Sequence, residues 1–179
     1  MKSHFNRSLM IAAAALACVV AARPATAMSL EEQVRHELNM LPYYGVFDAI
    51  GYQVDGTAVT LSGAVHYPAL ADDAVNAVKH IAGISQVKNS IEVLPLSRFD
   101  DQLRLAAWRE VYSWPGMHNL ATMPLPPVRI LVKNGNITLE GVVARQADKD
   151  ALTVRLNTLP NVFSVTNDLV VETPQPHKS

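Results

Sequence analysis

This chain of 179 residues has little cysteine or glycine and almost no net charge. It has one Cys, 8 Gly, and 15 Lys and Arg against 16 Asp and Glu, for a formal charge of −1. Non-specific nucleic-acid binding requires a clearly basic domain, so the charge balance predicts no nucleic-acid partner. The scattered glycines form no phosphate-binding loop, and the length excludes a large multidomain enzyme.

Side chains suited to catalysis or metal binding are equally sparse. No Gly-x-Ser-x-Gly motif occurs, and no histidine stands at metal-ligand spacing from another His, Cys or acid. The acidic pairs Glu31-Glu32 and Asp100-Asp101 fall at the starts of predicted helices, where carboxylates complement the helix dipole. The sequence therefore predicts a non-enzymatic protein without cofactor or metal.

The first 27 residues have the three-part layout of a secretory signal. Lys2 and Arg7 supply positive charge, residues 9–22 form an apolar run of 14, and small residues at 25–27 suit cleavage. A membrane span needs about 20 apolar residues, more than this run offers. We predict a signal peptide over residues 1–27 and a periplasmic mature protein.

Two alternatives to cleavage remain open. One is a retained membrane anchor, and the other is a lipoprotein anchored through Cys18, since Ala15-Leu16-Ala17 resembles a lipobox with its Leu one place out of register. Cleavage after Ala27 removes the only Cys, so each mature domain would depend on its core without disulfides. It also removes three basic residues and no acid, which leaves a formal charge of −4.

The mature chain is a tandem repeat. Residues 59–93 align with residues 137–171 without a gap, and nine of the 35 positions are identical. Upstream, LEEQVR at 30–35 matches FDDQLR at 99–104. The change of offset places nine extra residues, rich in proline, between the first helix and first strand of the second copy.

The two copies predict two domains, over 28–96 and 97–173, followed by a disordered tail over 174–179. Each copy has the periodicity of α-β-β-α-β, with a hairpin turn at Asp55-Gly56 or Asn134-Gly135. The predicted fold class is therefore α+β, with two tandem αββαβ domains. In each domain two helices cover one face of a three-stranded mixed sheet.

The helix boundaries follow from capping signals and periodicity. Ser29 with Glu32 forms a predicted capping box, and Asp100 or Asp101 is the predicted cap of the matching helix. The second helices are predicted over 68–82 and 147–159. A glycine also lies mid-strand in each copy, and we interpret both as structural, required by a helix that crosses there or by a bend before the second helix. These are Gly63 and Gly141.

The repeat resembles a known family. Each copy has a V/I-x-L-x-G-x-V core in its hairpin, then a helix, then a closing V-x-N-x-I/L-x-V strand, best seen in VFSVTNDL at 162–169 and ISQVKNSI at 84–91. This pattern resembles the BON domain, found in osmotically inducible periplasmic proteins and nodulation proteins. The resemblance covers nearly all of residues 28–173. It implies an exported binding module for phospholipid or other envelope components that supports tolerance of osmotic or envelope stress.

The first helix of the second copy carries the candidate binding residues. The first copy has 3 basic and 8 acidic residues over 28–97, whereas the second has 9 and 8 over 98–179. Tryptophan and tyrosine beside arginine suit the membrane interface, although burial in the core is the commoner role for an aromatic residue such as Trp108. We predict that this helix contacts anionic phospholipid, and that substituting Trp114 and Arg109 weakens binding. The candidate residues are Arg104, Trp108, Arg109, Tyr112 and Trp114.

A protein-interaction or chaperone-like role is the alternative. It would use the open face of the second sheet to engage other exported proteins. That face is predicted to carry Leu131, Val142 and Val170, which an isolated domain would expose. Burial of these residues between the two domains would remove the surface, and exposure would favour the alternative.

Overall fold

The computed structural model describes residues 28–172. The first domain runs α1 (Leu30–Asn39), β1 (Ala49–Asp55), β2 (Ala58–Val65), α2 (Pro68–Lys79) and β3 (Gln86–Val93). The second runs α3 (Arg98–Tyr112), a 3-10 turn (His118–Leu120), β4 (Val128–Lys133), β5 (Asn136–Val143), α4 (Gln146–Asn157) and β6 (Ser164–Val171). The predicted signal peptide and the C-terminal tail lie outside the described residues.

Each domain is the predicted αββαβ unit. The sheet orders are β1-β2-β3 and β4-β5-β6, with an antiparallel hairpin followed by a parallel pair in each. The equivalent pairs Gly63↔Ile91 and Gly141↔Leu169 show that the two parallel pairs share one register. The α+β fold class, with two mixed sheets and two helices per domain, is confirmed.

Helix starts match the predictions in one domain and differ in the other. The Ser29 side chain accepts from the backbone N–H of Glu32 at 3.2 Å, and the Glu32 side chain accepts from the N–H of Ser29 at 2.8 Å, which is the predicted capping box. In α3 the cap is Ser97, so the predicted cap at Asp100 or Asp101 is wrong. Asp100 is buried instead, and it accepts from the N–H groups of Asn134 and Gly135 in the second hairpin turn.

Apolar side chains under the helices form one core in each domain. Val34, Leu61 and Val78 are fully buried in the first domain, and Ala107, Ile130 and Leu152 in the second. A third, smaller cluster lies between the domains, where Leu131 packs against Ala49, Ala64 and Leu94. The open face of the second sheet is therefore partly covered by the first domain.

The mid-strand glycines are required by the partner strand of the hairpin and not by a crossing helix. Gly63 has φ +102°, and a Cβ there would lie 2.1 Å from the carbonyl oxygen of Ala49. Gly141 repeats this arrangement with φ +120° and the carbonyl oxygen of Pro127 at 1.9 Å. The backbones approach so closely that no side chain fits, which explains the glycine in each copy.

Gly63→Ala should lower the free energy of unfolding by about 3 kcal/mol or more, because the methyl group forces the hairpin apart. Gly56→Ala is the matched control, since Gly56 also has positive φ (+60°) but no atom within 4 Å of the added Cβ. It should cost only the conformational penalty of about 1–2 kcal/mol. Urea denaturation of both variants measures the difference, and equal losses would contradict the steric explanation.

Candidate functional site

Two of the predicted site residues fasten α3 to the free edge of β4. The buried Arg104 donates from one guanidinium nitrogen to the carbonyl oxygen of Val132 at 2.8 Å and from another to Asp101 at 2.6 Å. Tyr112 is buried as well, and its hydroxyl donates to the carbonyl oxygen of Val128 at 2.7 Å. Burial raises the pKa of Tyr112 to about 12. Neither side chain lies on a surface that a bilayer could reach.

Trp114 is half-buried and held by a carboxylate. Its indole N–H donates to Asp148 at 3.0 Å, Arg145 donates to both oxygens of the same carboxylate at 3.0 Å, and Arg155 lies 5.7 Å from the ring centre. The hydrogen bonds from Arg145 and then from Trp114 lower the pKa of Asp148, against the effect of burial. With its polar atom occupied, Trp114 serves to join the loop after α3 to the start of α4.

Trp108 and Arg109 are the predicted site residues that lie at the surface of α3. The side chain of Trp108 is 37% exposed, and its ring centre lies 6.0 Å from that of Tyr112. Arg109 is exposed, and no hydrogen bond or ion pair within residues 28–172 engages its side chain. One turn before Trp108 on the helix, Leu105 is 51% exposed. We define Leu105, Trp108 and Arg109 as the outer face of α3.

Sequence reasoning missed the role of the loop between α1 and β1. The N–H of Ile130 in β4 donates to the carbonyl oxygen of Val46 at 2.8 Å, and Arg129 donates to the carbonyl oxygen of Gly45 at 2.9 Å. Arg129 also stacks on Tyr44, 4.9 Å from the ring centre. Val46 and its neighbour Phe47 pack against the core of the second domain. The first domain thus contributes part of the wall of the second.

A buried carboxylate gives this loop its shape. Asp48 accepts from the N–H of Gly45 at 3.0 Å and from the N–H of His66 at 2.7 Å. Burial raises its pKa, although the two backbone hydrogen bonds act in the opposite direction. The ring of His66 lies 3.8 Å from Asp101 of α3, so these residues meet at the junction of the domains. The sequence offered no signal for this contact.

Residues 28–172 contain neither a cluster of metal-binding side chains nor a membrane-spanning helix. No group of three or more His, Cys, Asp or Glu side chains there could hold a metal ion. No helix of that part of the chain is long and apolar enough to cross a bilayer.

Comparison with known families settles the resemblance. A family model of the BON domain matches residues 28–95 and 121–173, which is more than half of the chain. The chain belongs to the BON domain family. This is a family of non-catalytic binding domains linked to envelope and osmotic proteins and to phospholipid binding. The match in the second domain begins after α3, so the helix that carries the candidate residues lies outside it.

Comparisons with individual proteins add little. No curated protein matches the chain. A solved structure of CdsD, a structural protein of the type III secretion system of Chlamydia trachomatis, aligns at 12% identity with a TM-score of 0.33, covering 82% of this chain and 93% of that one. The C-terminal domain of CdsD aligns at 12% identity with a TM-score of 0.29, covering 82% and 98%. Similarity at this level carries no functional argument.

Tyr112→Phe should lower the free energy of unfolding by about 1–2 kcal/mol, because the buried carbonyl of Val128 loses its donor. Tyr52→Phe is the control, since no hydrogen bond of the Tyr52 hydroxyl occurs within residues 28–172. It should change stability by less than about 0.5 kcal/mol. Urea denaturation measures both, and a Tyr112→Phe protein as stable as wild type would contradict the anchoring role.

Asp148→Asn should destabilise the protein at pH 7 by about 1–3 kcal/mol, because Trp114 and Arg145 lose a charged acceptor. The folded-state pKa of Asp148 is lowered, so the carboxylate stabilises the fold above its unfolded pKa of about 3.9. This stabilisation is lost as the pH falls through the lowered pKa, and the gap between variant and wild type should then narrow. Thermal melts from pH 7 to pH 3 measure the gap, and a constant gap would refute the assignment.

Proposed function

We propose that the mature protein is a non-enzymatic, periplasmic binding protein that associates with anionic phospholipid or another envelope component. Its role would be to support tolerance of envelope or osmotic stress. Membership of the BON domain family supports the general part of the proposal, a non-enzymatic binding protein of the envelope. The observation that carries it to particular residues is the exposed indole of Trp108, which lies on α3 beside the exposed Arg109.

The outer face of α3 has the chemistry of an interfacial contact. Leu105 and Trp108 lie one turn apart and are 51% and 37% exposed, so an apolar strip of the helix remains in solvent. Indole rings are favoured at the depth of lipid headgroups, and an exposed arginine can pair with a phosphate. Arg109, next to Trp108, supplies that cation. The second domain also carries the more basic half of the sequence.

The double variant Trp108→Ala/Arg109→Gln should reduce binding to anionic vesicles by about tenfold, since it removes both the aromatic anchor and the cation. Phe163→Ala/Lys88→Gln is the matched control, because it removes one exposed aromatic and one positive charge from other elements. The measurement is co-sedimentation of the mature protein with phosphatidylglycerol vesicles and with neutral phosphatidylcholine vesicles.

Trp114 is not part of this test. Replacing it would break the hydrogen bond to Asp148, so a loss of binding could reflect a damaged fold. Equal vesicle binding by wild type and by a folded Trp108→Ala/Arg109→Gln protein would reject α3 as the contact. If the double variant and its control lose vesicle binding equally, the loss reflects net charge and general hydrophobicity and not a specific contact of α3.

The protein-interaction alternative keeps a smaller surface than the sequence indicated. Leu131 is only 8% exposed and packs against the first domain, which removes it from the open face. Val142 and Val170 are 45% and 63% exposed and stand side by side in the register of β5 and β6. Two exposed valines are a modest patch for a soluble protein, and the lipid proposal is therefore preferred.

A further inference from the structure

Two tyrosines of the first domain wall a pair of adjoining grooves. One groove, of about 300 Å³, is formed by Tyr43 and Tyr67 together with Leu70 and Asp73 of α2. The other, of about 440 Å³, is walled by the same two tyrosines and extends across the domain junction to Asp101 and Leu105 of α3. We name the two together the tyrosine groove. It runs from α2 of one domain to α3 of the other.

Tyr43 is the third residue of a tight turn, in which Pro42 precedes it and the N–H of Tyr44 donates to the carbonyl oxygen of Leu41 at 3.3 Å. Its φ is +65°, a left-handed conformation that a bulky side chain rarely adopts. Its side chain is also 86% exposed, so the ring gains little from burial. The turn fixes the direction in which this exposed ring points. Tyr67 on the same groove is 53% exposed, which gives the groove two accessible aromatic rings.

The charge of the lining selects a cationic ligand. Two carboxylates of the lining are accessible, at Asp73 and Asp101, whereas Asp48 is 2% exposed and both of its oxygens accept backbone N–H groups. The one arginine or lysine of the lining is Arg104, which is 2% exposed and donates to Asp101 and to Val132. Asp73 and Asp101 lie toward opposite ends, and both are accessible to solvent. The apolar middle between two acidic ends suits an elongated ligand with an apolar centre and cationic ends.

We propose that the tyrosine groove binds an extended, basic segment of another polypeptide. Aliphatic side chains would lie between Tyr43 and Tyr67, and lysine or arginine side chains would pair with Asp73 and Asp101. An open groove accommodates a chain but not a flat bilayer, and its carboxylates repel anionic headgroups. The site is distinct from the outer face of α3 except at Leu105, so it adds a second kind of partner to the proposed function.

The test measures fluorescence anisotropy of labelled peptides with the mature protein. The probe has lysines at both ends of a Leu-Val-Leu centre, and the control peptide carries glutamates in their place. The basic peptide should bind, and the acidic one should not. Tyr67→Ala should weaken binding of the basic peptide by about tenfold, because an aromatic anchor is lost. Asp73→Asn should weaken it by about threefold to tenfold and reduce the salt dependence of binding, because one charge pair is lost.

Two further variants separate binding from net charge and from folding. Asp72→Asn removes the same charge from the neighbouring residue of α2, which is exposed and outside the lining, and it should change affinity less than about twofold. Tyr43→Gly relieves the positive φ, so it should leave stability equal or higher while weakening peptide binding.

Several results would overturn the proposal. They are equal affinity for basic and acidic peptides, no binding of the basic peptide, or equal effects of Asp72→Asn and Asp73→Asn. If Tyr67→Ala lowers binding to anionic vesicles and leaves peptide binding unchanged, the tyrosines belong to a membrane-contacting surface and the peptide site is wrong. Because the peptide assay contains no lipid, failure of the lipid proposal would not affect its outcome.

Discussion

The outer edge of β4 is the constraint on which the second domain depends. An edge strand presents unpaired backbone groups, and proteins must cover or disrupt them. Here the carbonyl of Val132 accepts from Arg104, the N–H of Ile130 donates to the loop before β1, and the carbonyl of Val128 accepts from Tyr112. The three contacts alternate along one side of the strand, as a partner strand would. The fold thus closes this edge with two side chains and a loop.

The same edge explains how the two domains are joined. The loop that pairs with Ile130 also packs Phe47 against the core of the second domain. Leu131, the next residue of β4, packs against the first domain. Arg129 binds the loop by a hydrogen bond and by stacking on Tyr44. Three successive residues of one strand therefore fix the domain junction. The additional residues of the second copy lie elsewhere: α3 has 15 residues where α1 has 10, and the connection from α3 to β4 is longer and contains Trp114 and the 3-10 turn.

Sequence patterns predicted the fold well because each pattern depends on interactions between residues that are close in the chain. The hairpin turns, the capping box at Ser29 and the alternation of apolar residues are each set by neighbours in the chain, and the turns and the alternation occur in both copies. The candidate site was harder to predict, because Arg104 and Arg109 have the same side chain on the same helix, yet Arg104 is buried and Arg109 is exposed. Only the register between α3 and β4 decides that Arg104 points at a carbonyl and Trp108 at solvent. That register is a tertiary property with no local signature.

One side of α3 holds β4 through Arg104 and Tyr112, and the outer face is free of such contacts within the described residues. The protein can therefore bind a ligand at the outer face without losing its fold. Arg104 and Tyr112 donate to backbone carbonyls that would otherwise be buried without partners. A ligand that bound these two side chains would break those hydrogen bonds and destabilise the fold. Trp108 and Arg109 make no such hydrogen bond within residues 28–172, so their contact with a ligand disturbs no contact of β4. Leu105 extends the outer face to the domain junction and lines the tyrosine groove. A ligand at either place therefore meets a helix whose position the edge of β4 has already fixed, which lowers the entropy that binding must overcome.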